Sequence, residues 1–212
     1  MTRDGEPLST ERLRELLDEL STELASQGER AQLFVVGGAA MALAYDESRT
    51  TRDVDALFEP KGQVRELAAR LGGRHGLDED WLNDAAKGFM PGADGAPRTV
   101  YESESLLVQV PSPEYMLAMK LHASRGERDL EDAAKLANIS GITTPREGVE
   151  LLGRMYPVSM LLPRHRYVVD DVMARAAAAR GGSESEREQG RPTTAPPDPP
   201  ALPTRGPSGP TI

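Results

Sequence analysis

The stretch from residue 33 to residue 58 constrains the fold of this chain more than any other part of the sequence. The apolar run Leu33-Phe34-Val35-Val36 is typical of a short buried strand, and it stops at Gly37-Gly38. Small residues from Ala39 to Tyr45 then predict a helix, and residues 53–58 predict a second strand that ends at Glu59-Pro60. A tight glycine turn is therefore expected beside a strand that begins with two acids.

The two acids, Asp53 and Asp55, occupy alternate positions of the predicted strand and should project from the same face. Carboxylates can hold Mg²⁺, which neutralises phosphate charge and activates an attacking oxygen. The glycines Gly37 and Gly38 leave backbone amides open to phosphate oxygens, and the next helix offers its positive N-terminal end. Either element alone is a weak signal, but their combination predicts a site for a metal-bound nucleotide with Asp53 and Asp55 as Mg²⁺ ligands.

The remaining patterns predict an α+β fold, in which a small mixed sheet is flanked by helices and followed by a helical C-terminal part. A strand is predicted at residues 106–110, with residues 99–102 as its hairpin partner. Helices are predicted from the Ser9-Thr10 cap to Gly28, at 63–71 with an end at Gly72-Gly73, and at 113–123, 128–137, 144–155 and 163–178. We divide the chain into an N-terminal helix (1–30), a core (31–138), C-terminal helices (139–180) and a tail (181–212).

Composition narrows the class of protein further. The tail is rich in Gly, Ser, Glu and Pro and is predicted to be disordered, because it has little apolar surface to bury. The chain has no cysteine, which excludes a disulfide framework. No apolar signal core and no run of about 20 apolar residues is visible, so we expect a cytoplasmic protein without a membrane partner.

The net charge of −9 argues against broad electrostatic attraction to nucleic acid. Any nucleic-acid substrate would therefore depend on a local basic cluster. Five cations flank the candidate site in the sequence and form such a cluster: Arg49, Arg52, Lys120, Arg125 and Arg128.

Two blocks of the sequence resemble the polymerase-beta nucleotidyltransferase superfamily. Gly37-Gly38 followed by Asp53-Val54-Asp55 resembles its signature, and the run Arg49-Thr50-Thr51-Arg52 before these acids resembles bacterial members related to the AbiEii and MenT toxins. A second block, Lys120-Leu121-His122-Ala123 through Arg125, Arg128-Asp129 and Asp132, resembles their downstream motif. The match spans roughly residues 33–136 and implies the minimal nucleotidyltransferase fold.

The resemblance implies transfer of a nucleoside monophosphate from an NTP to an acceptor, for which RNA is one candidate, with a protein antitoxin as a candidate partner. In such relatives the Asp pair binds metal, and the Lys and downstream Asp serve nucleotide binding or catalysis. Lys120 would then bind the triphosphate, and the arginines Arg49, Arg52, Arg125 and Arg128 would add forked donors. Asp129 and Asp132, three residues apart on one helical face, would orient Lys120 or Arg125. The alternative is a surface salt-bridge cluster at a helix start.

One departure from the superfamily pattern concerns a third carboxylate, expected on a later strand beside the Asp pair. In the strand at 106–110 the only polar residue is Gln109, with Glu102 and Glu104 just upstream. Either one of these glutamates is the third carboxylate of the site, or the site has only two acids. The second alternative is consistent with a catalytically inactive nucleotide-binding or interaction module, and the toxin-like component of a toxin–antitoxin pair is a third possibility.

Trp81, beside Asn83-Asp84, is interpreted either as a core residue or as a base-stacking residue.

Overall fold

A computed structural model describes residues 7–124 and 126–189 of the chain. These residues form an α+β fold, as the sequence predicts. The strands are β1 (Ala31–Val35), β2 (Val54–Glu59), β3 (Leu82–Asn83), β4 (Arg98–Glu102) and β5 (Leu106–Val110). The helices are α1 (Thr10–Ser26), α2 (Gly37–Ala44), α3 (Lys61–His75), α4 (Pro113–Ala123), α5 (Glu127–Ser140), α6 (Pro145–Met155) and α7 (Arg164–Gln189).

The five strands form one mixed sheet in the order β3-β2-β1-β5-β4. Strand β1 is antiparallel to β2 and parallel to β5, and β4 and β5 form the predicted antiparallel hairpin. Alternate residues of the three central strands are buried in the core, while Phe34, Asp55, Leu57 and Gln109 lie on the opposite, half-buried face. This second face carries the candidate site.

Helix α1 begins where the sequence predicts. Ser9 is its N-cap and accepts a hydrogen bond from the backbone N–H of Arg12 at 3.2 Å. Its leucine stripe is buried in the core: Leu13, Leu16, Leu17, Leu20 and Leu24. Because burying one such side chain stabilises the fold by about 1.5–3 kcal/mol, this stripe fixes α1 against the domain.

The predicted end of the third helix at Gly72-Gly73 is wrong. Helix α3 continues to His75 and ends at Gly76, which has a φ of 67°. Gly72 instead permits close packing, because a Cβ atom there would lie 2.9 Å from Trp81 Cδ1. Trp81 is buried and its Nε1 donates to the carbonyl of Ala68 at 2.8 Å, so the core interpretation of this residue is correct and base stacking is excluded.

The C-terminal part is helical, and α4 packs against α5, α6 and α7. The predicted capping box at Thr144 and Glu147 begins α6. The last helix passes its predicted end near Ala178 and reaches Gln189, because Glu, Arg and Gln favour helix and each glycine weakens it by only about 1 kcal/mol. The rest of the predicted disordered tail, 190–212, lies outside the described residues. Within the described part of the chain, no helix has the length and apolar character needed to cross a membrane.

Candidate functional site

A cavity of about 190 Å³ brings together residues from three helices, one strand and one turn. Its polar wall is formed by Gly37 of α2, Asp55 of β2, Lys120 of α4 and Asp129 of α5. Its remaining wall is apolar: Val36, Ala85, Ala86, Phe89, Met116, Met119 and Ala123. The cavity lining therefore combines polar groups suited to a charged ligand with apolar side chains suited to a flat apolar group.

Gly37 brings the start of α2 directly against the Asp55 carboxylate. It has a φ of +66°, which side chains rarely adopt, and a Cβ atom there would lie 3.2 Å from Asp55 Oδ2. The backbone N–H of Val36 donates to the Asp55 carbonyl at 2.8 Å, which ties the turn to β2. Val36 is the N-cap and offers no side-chain oxygen to the first amides of α2, so this helix end is suited to an anion.

Gly38 makes a close packing contact and does not line the cavity, so the phosphate contact that the sequence suggests for it stays a prediction. A Cβ atom at Gly38 would lie 2.7 Å from Thr51 Oγ1, a distance that real Cβ atoms essentially never show. Thr51 is itself buried and pairs with Leu8, its N–H donating to the Leu8 carbonyl at 3.0 Å. Gly38 therefore allows the segment before β2 to pack on α2.

We predict that Gly38→Ala lowers the free energy of unfolding by about 1–3 kcal/mol, the usual cost of overpacking a tight contact. The change would be measured by chemical denaturation. Gly62→Ala in α3 is the matched control, because nothing lies within 4 Å of a Cβ atom there. A loss of stability that is equal in the two variants would contradict the packing role of Gly38.

The predicted pairing of Asp53 and Asp55 on one strand face is only half correct. Strand β2 begins at Val54, so Asp55 follows the strand alternation while Asp53 lies in the preceding bend and is exposed. The bend forms because Thr51 pairs with Leu8 through its backbone and donates its hydroxyl to the Asp53 carbonyl at 3.1 Å. Asp55 lines the cavity and Asp53 does not.

Neither glutamate considered as a third acid lies beside Asp55. Glu104 borders a groove at the other end of the sheet together with Glu59, which is four residues from Asp55 along β2, or roughly 13 Å. Glu102 pairs with Leu107 at that same end, and Gln109 pairs with Phe34. The carboxylate that lines the cavity together with Asp55 is Asp129, which the sequence indicated as a catalytic candidate by resemblance and as a residue that orients Lys120 or Arg125, but not as the third acid.

The donor set fits Mg²⁺ as a partial site. Mg²⁺ usually binds proteins through one or two carboxylates and completes its shell with substrate phosphates and water. Asp55 and Asp129 supply two carboxylates to the lining of one cavity, and the described residues hold no group of three or more acidic, His or Cys side chains that could enclose a metal. The described residues therefore do not form a site that would bind a metal ion through protein ligands alone.

Lys120 and Asp132 are the centre of an ion-pair network. Lys120 Nζ lies 2.6 Å from Asp129 Oδ1 and 2.9 Å from Asp132 Oδ2, the second contact being oriented as an ion pair rather than a hydrogen bond. Arg49 Nη2 lies 2.8 Å from Asp132 Oδ1 and also reaches the carbonyl of Arg128 at 3.4 Å. Asp132 is only 4% exposed, so these residues form an ion-pair cluster that is buried rather than at the surface, and their nucleotide-binding or catalytic roles stay predictions.

The network limits what each cation can do for a ligand. A lysine ammonium has three N–H donors, and Lys120 uses one of them for Asp129, so at most two remain for a phosphate, which would also compete with the charge of Asp132. Arg49 is held by Asp132, and Arg52 and Arg128 are exposed and outside the cavity lining. Arg125 lies outside the described residues. The nucleotide-binding roles of these arginines stay predictions.

The turn at Ala85–Phe89 contributes apolar residues to the cavity lining that were not predicted from the sequence. This turn is held from behind, since the Tyr156 hydroxyl donates to the Phe89 carbonyl at 2.8 Å and the Tyr115 hydroxyl donates to the Gly92 carbonyl at 2.9 Å. Burial, and next to it the charge of Asp94, raises the pKa of Tyr115 to about 12, so this tyrosine remains a donor. A turn has no periodic sequence pattern that would identify it as part of a cavity lining. Its position depends on hydrogen bonds to tyrosines that are distant in sequence.

The fold and the cavity together define a nucleotidyltransferase-like protein: a glycine turn faces an acidic strand, and a lysine closes the same cavity. The chain belongs to the family described as nucleotidyltransferase of unknown function (DUF6036), whose model matches residues 11–144.

Comparison with solved structures gives similarity to the crystal structure of an antigenic nucleotidyltransferase-like protein from Paracoccidioides brasiliensis. The sequence identity is 15%, the match covers 78% of this chain and 95% of that chain, and the TM-score is 0.35. No curated protein matches the sequence. The finer resemblance to the AbiEii and MenT toxins stays a prediction.

Proposed function

We propose that the cavity binds an NTP together with Mg²⁺ and that the protein transfers its nucleoside monophosphate to an acceptor. The observation that carries this proposal is the convergence of Gly37, Asp55, Lys120 and Asp129 in the lining of one cavity. Four elements of the fold supply these residues, so a shared chemical task explains their meeting better than local surface polarity does.

Different residues of the cavity lining suit the two parts of an NTP, its base and its phosphates. The apolar residues, among which Phe89 is 44% exposed, suit the nucleobase, and the polar residues suit the phosphates. The volume of about 190 Å³ is below the roughly 300–1,000 Å³ of a site that encloses a whole drug-sized ligand. Part of the nucleotide would therefore extend outside, toward the exposed Asp53 and Arg52.

Each polar residue has a separate task in this mechanism. The amides at the start of α2, next to Gly37, bind phosphate oxygens, and Lys120 places one positive charge beside them. Asp55 and Asp129 would hold Mg²⁺, which when bound supplies charge neutralisation on the phosphates. An acceptor hydroxyl then forms a bond to the α-phosphorus as the bond to pyrophosphate breaks, and the hydroxyl proton leaves to solvent or to a carboxylate.

The acceptor in this proposal is RNA, as the resemblance to toxin-related nucleotidyltransferases implies. The exposed arginines Arg52 and Arg128 are the cations available outside the cavity for its phosphates. A protein antitoxin is the partner that the same resemblance implies.

We expect at least one NTP to bind with micromolar to millimolar affinity in the presence of Mg²⁺, and label from an α-labelled NTP to appear on RNA. Calorimetry with each of the four NTPs measures binding, and incubation with total RNA followed by electrophoresis measures transfer. Omission of Mg²⁺ with EDTA present is the control. Failure of all four NTPs to bind would contradict the proposal.

An inactive nucleotide-binding module is the second candidate, favoured by the absence of an acid at Gln109 on β5. The same pair of measurements separates it from an enzyme. Binding of an NTP without label transfer to RNA or to any other acceptor supplied would favour the module.

A further inference from the structure

Two imidazole rings are packed together behind the apolar wall of the cavity. His122 of α4 and His165 of α7 have ring centroids 4.8 Å apart. His122 also stacks on Tyr156, with centroids 4.1 Å apart and ring planes 10° from parallel. We call His165, His122 and Tyr156 the aromatic stack.

The hydrogen bonds of the stack fix which nitrogen carries each proton when the rings are neutral. His165 Nδ1 accepts from the Leu162 backbone N–H at 3.1 Å, so its proton lies on Nε2. His122 Nε2 faces the Met160 carbonyl at 3.2 Å and must donate to it, so its Nδ1 has a bare lone pair.

The two nitrogens left over are complementary. Within the described residues, His165 Nε2 and His122 Nδ1 are both buried and have no hydrogen-bond partner. One is a donor, the other is an acceptor, and they belong to neighbouring rings. Because the donor of one ring accompanies the acceptor of the other, the neutral pair is the compatible protonation state.

The stack is connected to the candidate site through one hydrogen bond. The Tyr156 hydroxyl donates to the Phe89 carbonyl at 2.8 Å, and Phe89 lines the cavity. Burial raises the pKa of Tyr156, so the hydroxyl keeps its proton throughout the range in which His165 titrates.

We propose that the aromatic stack positions Phe89 for the nucleobase, and that protonation of His165 releases this position and weakens nucleotide binding. The inference rests on the proposed function for its ligand. Tyr156 and the two histidines are positioning residues, since they act on the nucleotide only through Phe89.

Protonation of His165 conflicts with its surroundings. A proton on Nδ1 would face the Leu162 N–H, donor against donor, and His165 is 3% exposed. His165 lines a groove between α6 and α7 with Arg146, Glu150, Arg166 and Asp170, and Arg164 is near it on α7, so the charged groups of these two helices are three cations and two acids. Burial first, and then His122 and Arg164, lower the pKa of His165 below its ordinary 6.5.

The direction of the pH effect follows from this lowered pKa. Because the unfolded chain takes up the proton at about pH 6.5 and the folded chain only at lower pH, the stability contributed by neutral His165 is complete above pH 6.5. It is lost as the pH falls from 6.5 through the folded-state pKa. If only the neutral form binds nucleotide, apparent affinity falls up to about tenfold for each pH unit below that pKa.

The first test is a pH titration of the imidazole ¹⁵N signals by NMR, which needs no nucleotide. The sequence has three histidines, so His75→Gln assigns the remaining two signals to the stack. We expect His165 as the Nε2–H tautomer, His122 also protonated on Nε2, and the Phe89 amide shift to follow the His165 titration. The proposal would be overturned if either histidine is found as the other tautomer, or if the Phe89 amide shift does not change as His165 titrates. Either result would count even if NTP binds.

The second test is NTP affinity between pH 5 and pH 8 in the full chain. Tyr156→Phe keeps the ring stacked on His122 but removes the bond to Phe89, so we expect weaker binding at pH 8 and little further loss at pH 5. Tyr167→Phe, at a site 75% exposed on α7, is the matched control and should behave as the unaltered protein.

His165→Asn separates titration from structure, because its amide oxygen can still accept from the Leu162 N–H while the side chain no longer titrates. We expect affinity near that of the unaltered protein at pH 8 and no fall at pH 5. A fall equal to that of the unaltered protein would overturn the role of His165. Absence of NTP binding at every pH would overturn the proposed function and leave the NMR test to decide the coupling between the stack and Phe89.

Discussion

Replacing Asp55 with Asn should reduce magnesium-dependent nucleotide transfer by on the order of 100-fold to 1,000-fold, the range for loss of one preorganised electrostatic group. Asp55 is the strand carboxylate that lines the cavity, and it lies against Gly37 at the start of α2. An amide in its place keeps the shape of the side chain but removes the negative charge that Mg²⁺ requires. The β2 backbone pairing is unaffected, so the melting temperature should change little.

The matched control for this prediction is Asp53→Asn. Both acids belong to the Asp-x-Asp pattern, but Asp53 is exposed and outside the cavity lining, so its replacement should have the smaller effect. Transfer rates and NTP affinity, each with Mg²⁺ and with EDTA, give the comparison. Equal losses would mean that both acids bind the metal, and unchanged affinity in both variants would remove the metal site from the proposal.

Replacing Asp132 with Ala should lower the free energy of unfolding by about 3–5 kcal/mol, because it leaves the largely buried Arg49 without its counter-charge and leaves Lys120 with Asp129 alone. Arg49 and Lys120 both pair with this carboxylate, and they come from the α2–β2 loop and from α4. Asp132 on α5 therefore joins three parts of the chain by charge alone. Chemical denaturation measures the loss.

Glu131→Ala is the matched control, since Glu131 is the exposed neighbour on α5 and its loss should change stability by less than about 0.5 kcal/mol. A double-mutant cycle with Arg49→Met then gives the coupling energy of the buried pair. If Asp132→Ala and Glu131→Ala prove equally stable, the network does not hold the fold together. Nucleotide affinity should still fall in Asp132→Ala, because Lys120 would lose one of its two anchors.

The sequence determined the parts of this protein that depend on neighbours along the chain. The Ser9 cap, the Thr144 and Glu147 capping box and the β4–β5 hairpin were predictable, because caps, turns and side-chain periodicity act over a few residues. The glycine turn at Gly37-Gly38 was predictable for the same reason, and it indicated where the candidate site lies.

Only the tertiary structure decided which residues meet at that site. Asp129 reaches the cavity and Glu104 does not, because the direction of α5 and the end of the sheet at which each acid lies depend on how distant elements pack. Gly38 and Gly72 read as turn or stop signals, yet each serves a close contact with a residue more than eight positions away. The pairing of His122 with His165 has no local signal at all. Local sequence patterns determine the secondary structure of a segment. The chemistry of a site depends instead on which distant side chains come close together in the folded chain, and local patterns carry no information about those distances.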